Sequence, residues 1–312
     1  MNVKSNPALG RLGKWWVTAA MALAAGSAAA QPLPANTPAP VRLEAGSVVV
    51  NEVAGVRVHT YLSDMAAAAN ATHIIETQRS VVVIDPQFLR QYSTAARRYV
   101  DSLRKPIDRV IITHAHPDHF FGWAMSFSDV PAYALEGVAR IMAAAGPQMI
   151  ANQKPMFGPA IPDAMPAVQG RIIPGTRETI DGLVYEYSRV VDAESEEQLL
   201  IRLPALRALV VGDLVYSDVH LWLGMGQFDN WIAALEKHVK ASPGVEWLLP
   251  GHGLPNGLAE ADDQIAYLRD AKAKFQEPGI TAKAFKDHLL AQHPSLGSPV
   301  IIDLYLKFLF KP

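Results

Sequence analysis

Apolar positions along the chain fall into short β-like runs in two bursts, each followed by helical stretches. Ser47–Val50, Val56–Leu62, His73–Thr77 and Val81–Ile84 read as strands, and Asp85-Pro86 ends the last of them. Residues 90–104 carry a helical pattern with a basic outer face. Arg109–Ile112 is a β-branched run of buried-strand length, and it empties into Thr113-His114-Ala115-His116-Pro117-Asp118-His119. A helix is expected around 136–145, and five prolines mark 155–175 as a loop. The plan then repeats: strands at 178–189, 198–203 and 207–211, a helix at 227–241, a strand at Trp247–Leu249, and helices at 258–275 and 281–290. This order predicts an α/β protein in which two β-rich halves pack as one unit with helices outside. No linker and no short repeat separate the halves.

The N-terminus follows a different logic. Lys4, Arg11 and Lys14 precede a mostly apolar stretch from Trp15 to Ala25, and the small-residue run Gly26-Ser27-Ala28-Ala29-Ala30 follows. That order reads as a secretory signal peptide over 1–30, cleaved after Ala30. The alternative, a transmembrane anchor, needs roughly 20 apolar residues. Pro32, Pro34, Pro38 and Pro40 make 31–44 an extended tether, with the folded domain over 45–312. The expected location is the periplasm or the exterior, with no stable membrane anchor after cleavage.

Composition narrows the chemistry. Of 312 residues none is cysteine, which excludes disulfides, thiolate nucleophiles and Cys metal ligands. Half the residues are hydrophobic and 19% are charged, which excludes a disordered chain. Lysine and arginine number 28 against 30 acids, so no nucleic-acid partner is indicated and a small-molecule substrate is expected. Without the three signal-peptide cations the net charge is about −5.

Three of the ten histidines, His114, His116 and His119, fall within six residues beside Asp118, at the exit of a buried strand. A strand-end turn can aim alternate side chains at one point. Imidazoles and carboxylates together suit zinc, and manganese or iron where carboxylates are numerous.

His114-Ala115-His116-Pro117-Asp118-His119 resembles the metal signature of the metallo-β-lactamase superfamily. Asp85 after Val81–Ile84, Gly212-Asp213 after Leu209–Val211, and Pro250-Gly251-His252-Gly253 resemble its further motifs, in the expected order over residues 45–275. The six-residue motif is highly specific, whereas Gly-Asp and Pro-Gly-His-Gly alone are weak. The resemblance implies an αββα four-layer sandwich with two divalent metal ions at one edge of the sheets. It implies His114 and His116 on the first metal, Asp118, His119 and His252 on the second, and Asp213 shared.

One expected ligand is missing. The family usually carries another histidine before the strand that leads to Gly-Asp, but no histidine lies between His119 and His220. Counting back from Leu199–Pro204 places the slot on Glu194, with Asp192 as the alternative, or on a solvated acidic turn without a metal role. Glutamate there removes one positive charge from the centre, which should acidify a bound water less and favour a harder metal.

Two metals sharing a hydroxide deliver a nucleophile near neutral pH, so no Ser or Cys is needed. Asp118 could steer the proton. Asp85 either orients ligands or caps a turn. Tyr216, three residues after Asp213, resembles an oxyanion donor of the lactone-hydrolysing branch, or is a strand-end aromatic. His220 stands at the pocket rim or acts as a ligand. Phe120, Phe121, Trp123, Trp222, Met225, Phe228 and Trp231 form either a pocket wall or ordinary core. The stretch 155–175 is a lid or a plain surface loop. The expected function is an exported metal-dependent hydrolase of a small carboxylic ester, lactone or thioester. A β-lactam hydrolase and a metal- or ligand-binding member without turnover are the alternatives.

Overall fold

The computed structural model describes residues 38–310. The signal peptide read over 1–30, and the tether up to residue 37, lie outside the described residues. Among these, no helix is long and apolar enough to cross a membrane.

Two sheets form the centre. The first contains β1 (Val41–Arg42), β2 (Ser47–Val53), β3 (Val56–Leu62), β4 (Ala71–Glu76), β5 (Val81–Ile84), β6 (Ile107–Ile111), β7 (Ala132–Leu135) and β8 (Gly170–Ile172), in that spatial order. Strands β1 to β5 pair antiparallel; β5 to β8 pair parallel. The second contains β9 (Arg177–Ile180), β10 (Leu183–Val191), β11 (Glu197–Leu203), β12 (Ala208–Tyr216), β13 (Trp247–His252) and β14 (Asn256–Gly257). There β12 and β13 run parallel, so their C-terminal ends share one edge of the sandwich. Helices α1 (Arg90–Ser102), α2 (Pro117–Ser126) and α3 (Glu136–Phe157) pack with the first sheet; α4 (Phe228–Ala234), α5 (Ala259–Phe275), α6 (Ala282–Gln292) and α7 (Val300–Leu309) pack on the second. The result is the αββα sandwich.

Two apolar cores hold the layers. One joins α1–α3 to both sheets through residues such as Val83, Ile111, Phe120 and Leu199. The other lies between the second sheet and α4–α7, around Val211, Leu214, Leu235 and Leu268. The sheets are also tied by polar contacts near the shared edge. His73 Nε2 donates to the Pro250 carbonyl at 2.8 Å, and the Leu199 amide donates to the Thr113 carbonyl at 2.8 Å.

Several elements differ from the sequence reading, each for a physical reason. The helix expected around 136–145 runs to Phe157, through Pro147 and Pro155. Val138, Met142, Gly146 and Ile150 form one buried stripe at four-residue spacing, and this tertiary burial outweighs the local cost of proline. The loop expected over 155–175 therefore starts later, and its end forms β8. The single strand expected over 178–189 is a hairpin, with Asp181 and Gly182 both at positive φ, as an Asp-Gly turn of this kind requires. Val41 and Arg42, placed in the tether, pair with Val48 and Ser47 at the sheet edge. Helix α2 was not anticipated. Pro117 starts it at a position where its missing N–H costs nothing, and Gly122 inside it lets the helix touch the Pro86 carbonyl, where a Cβ would stand 1.8 Å away. The helix read over 227–241 is α4 continued by a π-turn over Leu235–Lys240, and α7 was not anticipated.

Candidate metal centre

Four separate segments meet at the shared sheet edge. After β6, Thr113 and His114 turn inward; His116 immediately precedes α2, and Asp118 and His119 sit in its first turn. The β10–β11 turn presents Glu194. Strand β12 carries Asp213, and β13 ends in His252. Ligand-capable atoms of His114, His116, Glu194 and Asp213 lie within 4.8 Å of one another, as do those of Asp118, His119, Asp213 and His252. Asp213 belongs to both groups.

The closest approaches are 3.1 Å between His119 Nε2 and Asp213 Oδ1, 3.2 Å between His116 Nδ1 and Glu194 Oε1, and 3.3 Å from His252 Nε2 to both Asp118 Oδ2 and Asp213 Oδ2. His114 Nε2 stands 3.7 Å from Asp213 Oδ2 and 3.8 Å from Glu194 Oε2. Glu194 is buried, whereas Asp192, the alternative for that slot, is an exposed turn residue at φ 51° and joins neither group. His114 Nε2, His119 Nε2, Glu194 Oε2 and Asp213 Oδ1 are buried without a hydrogen-bond partner. Four converging ligand-capable atoms buried without a hydrogen bond fit a cation site, because a bound cation would offset their desolvation.

The imidazoles are held from behind. His119 Nδ1 donates to Asp85 Oδ2 at 3.0 Å, His252 Nδ1 to the Ala68 carbonyl at 2.8 Å, and His114 Nδ1 to Thr113 Oγ1 at 3.0 Å. Each bond places the proton on Nδ1 and turns the Nε2 lone pair inward. Thr113 in turn donates its hydroxyl to Asp85 Oδ2 at 2.6 Å, and its amide to Asp85 Oδ1 at 2.8 Å. Of the two sequence readings for Asp85, orienting the site is the one its contacts match. Tyr216 donates to Asp213 Oδ2 at 2.7 Å, lies 3.2 Å from Glu194 Oε1, and stacks on His252 with ring centroids 4.8 Å apart.

The electrostatics are those of a site built for cations. Burial disfavours ionised Asp213, but His119, His252 and His114 outweigh it and hold the carboxyl well below the usual range. Burial also lowers His119 and His252, yet the surrounding carboxylates win, lifting His119 well above its ordinary value and His252 to about 10. Burial dominates for His114, which stays neutral, and it raises Glu194. The cluster thus balances its carboxylates with protons that a metal would displace.

Gly251, next to His252, is required by this packing. A Cβ there would stand 1.9 Å from Asp213 Oδ1 and 3.0 Å from His119 Cε1.

The sequence profile of the metallo-beta-lactamase superfamily matches residues 68–252, more than half of the chain. The chain belongs to the metallo-β-lactamase superfamily. Solved structures of that superfamily share its fold. A metallo-β-lactamase from Pontibacter korlensis superposes with a TM-score of 0.56 at 17% identity, covering 72% of this chain and 99% of that one. FIM-1 from Pseudomonas aeruginosa, in its mono-zinc form, gives 0.52 at 17% identity, over 72% and 96%. A linear primary-alkylsulfatase from a Pseudomonas species is 24% identical over 278 residues, 74% of this chain. The chain spans about half, 52%, of that relative's length. The superfamily is one of hydrolases that generally bind divalent metals, and the His, Asp and Glu clusters described above could hold such ions.

Other residues singled out in the sequence are divided by the fold. Phe120, Phe121 and Trp123 are fully buried core and form no pocket wall. Trp222, Met225, Phe228 and Trp231 line a shallow apolar recess with Ala193 and Leu223. His220 hydrogen-bonds Tyr267 Oη at 3.1 Å and joins neither metal-competent group. Thr113 went unnoticed in the sequence; its place directly before the histidine motif was the available signal.

Proposed function

We propose that this metallo-hydrolase cleaves a small carboxylic ester, lactone or thioester with the help of two divalent cations. The observation that carries this reading is the convergence of seven side chains from four segments into two groups that share Asp213. His114, His116 and Glu194 would hold one cation; Asp118, His119 and His252 would hold the other. Zinc suits the donor set, with manganese or iron as alternatives because three carboxylates take part. Divalent cations held there would supply an ionised water as the nucleophile and would polarise the carbonyl oxygen of the substrate.

The chain's own groups supply orientation and proton handling. Asp85 and Thr113 fix two imidazoles. Tyr216 holds Asp213 in place through its hydroxyl, with oxyanion stabilisation as the competing role. The Asp118 side chain, 30% exposed, is the most solvent-accessible carboxylate of the cluster, and its other oxygen, turned from His252, would pass a proton to a leaving group.

A sulfate ester is the second reading, favoured by the likeness to the Pseudomonas alkylsulfatase. The decisive experiment measures metal per chain and then hydrolysis of aryl esters, lactones, thioesters, β-lactams, alkyl sulfates and phosphodiesters. Chelator-sensitive turnover of the first three classes is expected. Turnover confined to β-lactams or alkyl sulfates reassigns the substrate, and metal retained without turnover of any class refutes the reading. Export, inferred from the first thirty residues, predicts a mature N-terminus at Gln31.

A further inference from the structure

Among the described residues, nothing covers one apolar stripe of helix α7. Val300, Leu304 and Phe308, at i, i+4 and i+8, are 44%, 42% and 45% exposed. Its other face is paired: Ile301, Ile302 and Tyr305 are buried in the core beneath. The stripe leads to the metal centre through Trp222. The Phe308 and Trp222 rings are 5.8 Å apart, and the Trp222 ring meets His116 edge-on at 5.9 Å. His116 is the partly open imidazole of the site, its side chain 24% exposed. Met65, 47% exposed, borders the start of the same helix, where Ser298 Oγ donates to its carbonyl at 2.6 Å. Three residues on, the Ala68 carbonyl holds His252. An apolar surface thus begins beside two of the histidines and runs outward along α7.

We propose that this surface seats the alkyl or acyl chain of the substrate, so that the enzyme prefers esters of a linear, medium-length apolar chain. The inference rests on the ester-hydrolase reading and names its substrate class. From Val300 to Phe308 the stripe spans about 12 Å of helix, a length a linear chain can follow. Three large apolar side chains aligned on one exposed helix face, unlike the exposed apolar residues scattered singly elsewhere, mark a binding face. Continuity with the metal centre selects the substrate's own tail as its occupant. The helix carries one lysine and one aspartate, Lys307 and Asp303, and lacks the basic rim of a helix that lies on an anionic membrane.

The test compares metal-loaded full-length chain with the double variant Leu304→Ser/Phe308→Ser on p-nitrophenyl acetate, butyrate, hexanoate, octanoate and decanoate. Circular dichroism checks the fold. In the unsubstituted protein kcat/KM should rise about twofold per added methylene, about half of what full burial would give, because the stripe covers one side of the chain. The double variant should lower the decanoate-to-acetate ratio at least tenfold, mainly through KM. Equal chain-length profiles in the two proteins overturn the proposal. Calorimetric binding of decanol, which needs no turnover, separates this inference from the hydrolase reading. Decanol binding lost in the double variant supports the platform even if no ester is cleaved, and binding unaffected by the substitutions refutes it. A concentration-dependent dimer abolished by the substitutions, with chain-length selectivity retained, would assign the stripe to a second copy instead.

Discussion

Asp85 and His119 form a single unit: one carboxylate oxygen accepts the Nδ1 proton of the imidazole at 3.0 Å, and the opposite ring nitrogen faces Asp213 at 3.1 Å. Asp85 itself sits at φ 53°, a left-handed conformation that Asp and Asn tolerate better than most residues. Asp85→Asn should therefore keep the backbone and lose the orienting bond. Metal affinity should fall about 10- to 100-fold, as for other groups that position metal-ligating histidines. Chelator-competition titration measures this, with circular dichroism confirming the fold.

Gly251→Ala tests whether the glycine is there for contact. Its Cβ would collide with the Asp213 carboxylate, the group common to both ligand sets. The variant should fold yet retain at most one metal per chain, with activity reduced in proportion to the missing metal. Elemental analysis of purified protein decides it; full metal content would show that the carboxylate moves aside freely.

Replacing Glu194 by His restores a positive charge at the centre. Zinc affinity should rise, and the acidic limb of the pH–rate profile should move to lower pH, because a more positive pair of cations acidifies its water further. Metal content and a pH profile unaltered from those of the unsubstituted enzyme would contradict a ligand role for this residue.

Tyr216→Phe separates two roles. The hydroxyl is committed to Asp213, which favours a positioning role. Metal affinity should drop several-fold, with kcat largely recovered once metal is saturating. A loss of 100-fold or more at full metal load would instead point to oxyanion stabilisation, whose typical magnitude lies in that range.

His73 predicts a pH dependence of stability. Burial holds its pKa near 4, below the ordinary 6.5, and the neutral ring bridges Thr60 and the Pro250 carbonyl. A depressed histidine pKa contributes stability that is present above 6.5 and lost as pH falls toward 4. The contribution is on the order of 3 kcal/mol, from about 1.4 kcal/mol per pKa unit. His73→Gln should melt below the unsubstituted protein at pH 7, and the gap should close by pH 4. Melting both proteins in chelator keeps metal release out of the comparison.

Much of this was legible in one dimension. Apolar-rich runs marked β3, β5 and β11 almost to the residue, the wholly β-branched Val81–Ile84 of β5 most plainly, since buried strands need little beyond apolar side chains. The histidine motif stood out because donors this dense directly after such a strand have few other uses. Glu194 was reached by counting back from a strand, and the fold seats its buried carboxylate beside His116. Less legible were elements whose signal is tertiary. Helix α3 passes Pro147 because burial on one face sustains it. The aromatic residues split between core and recess according to which layer covers them. Thr113 gains its role from Asp85, 28 residues away at the end of another strand.

The sequence by itself determined which donors are available, the absence of thiols, and the strands from which those donors emerge, because composition and periodicity are local properties of the chain. Only the tertiary structure decided that Glu194 rather than Asp192 faces His116, that Asp213 is common to two clusters, and that α7 leaves an apolar path open beside Trp222. These depend on distances between segments far apart in the chain, such as His252 and Ala68, 184 residues apart, and such distances exist only once the two sheets have packed.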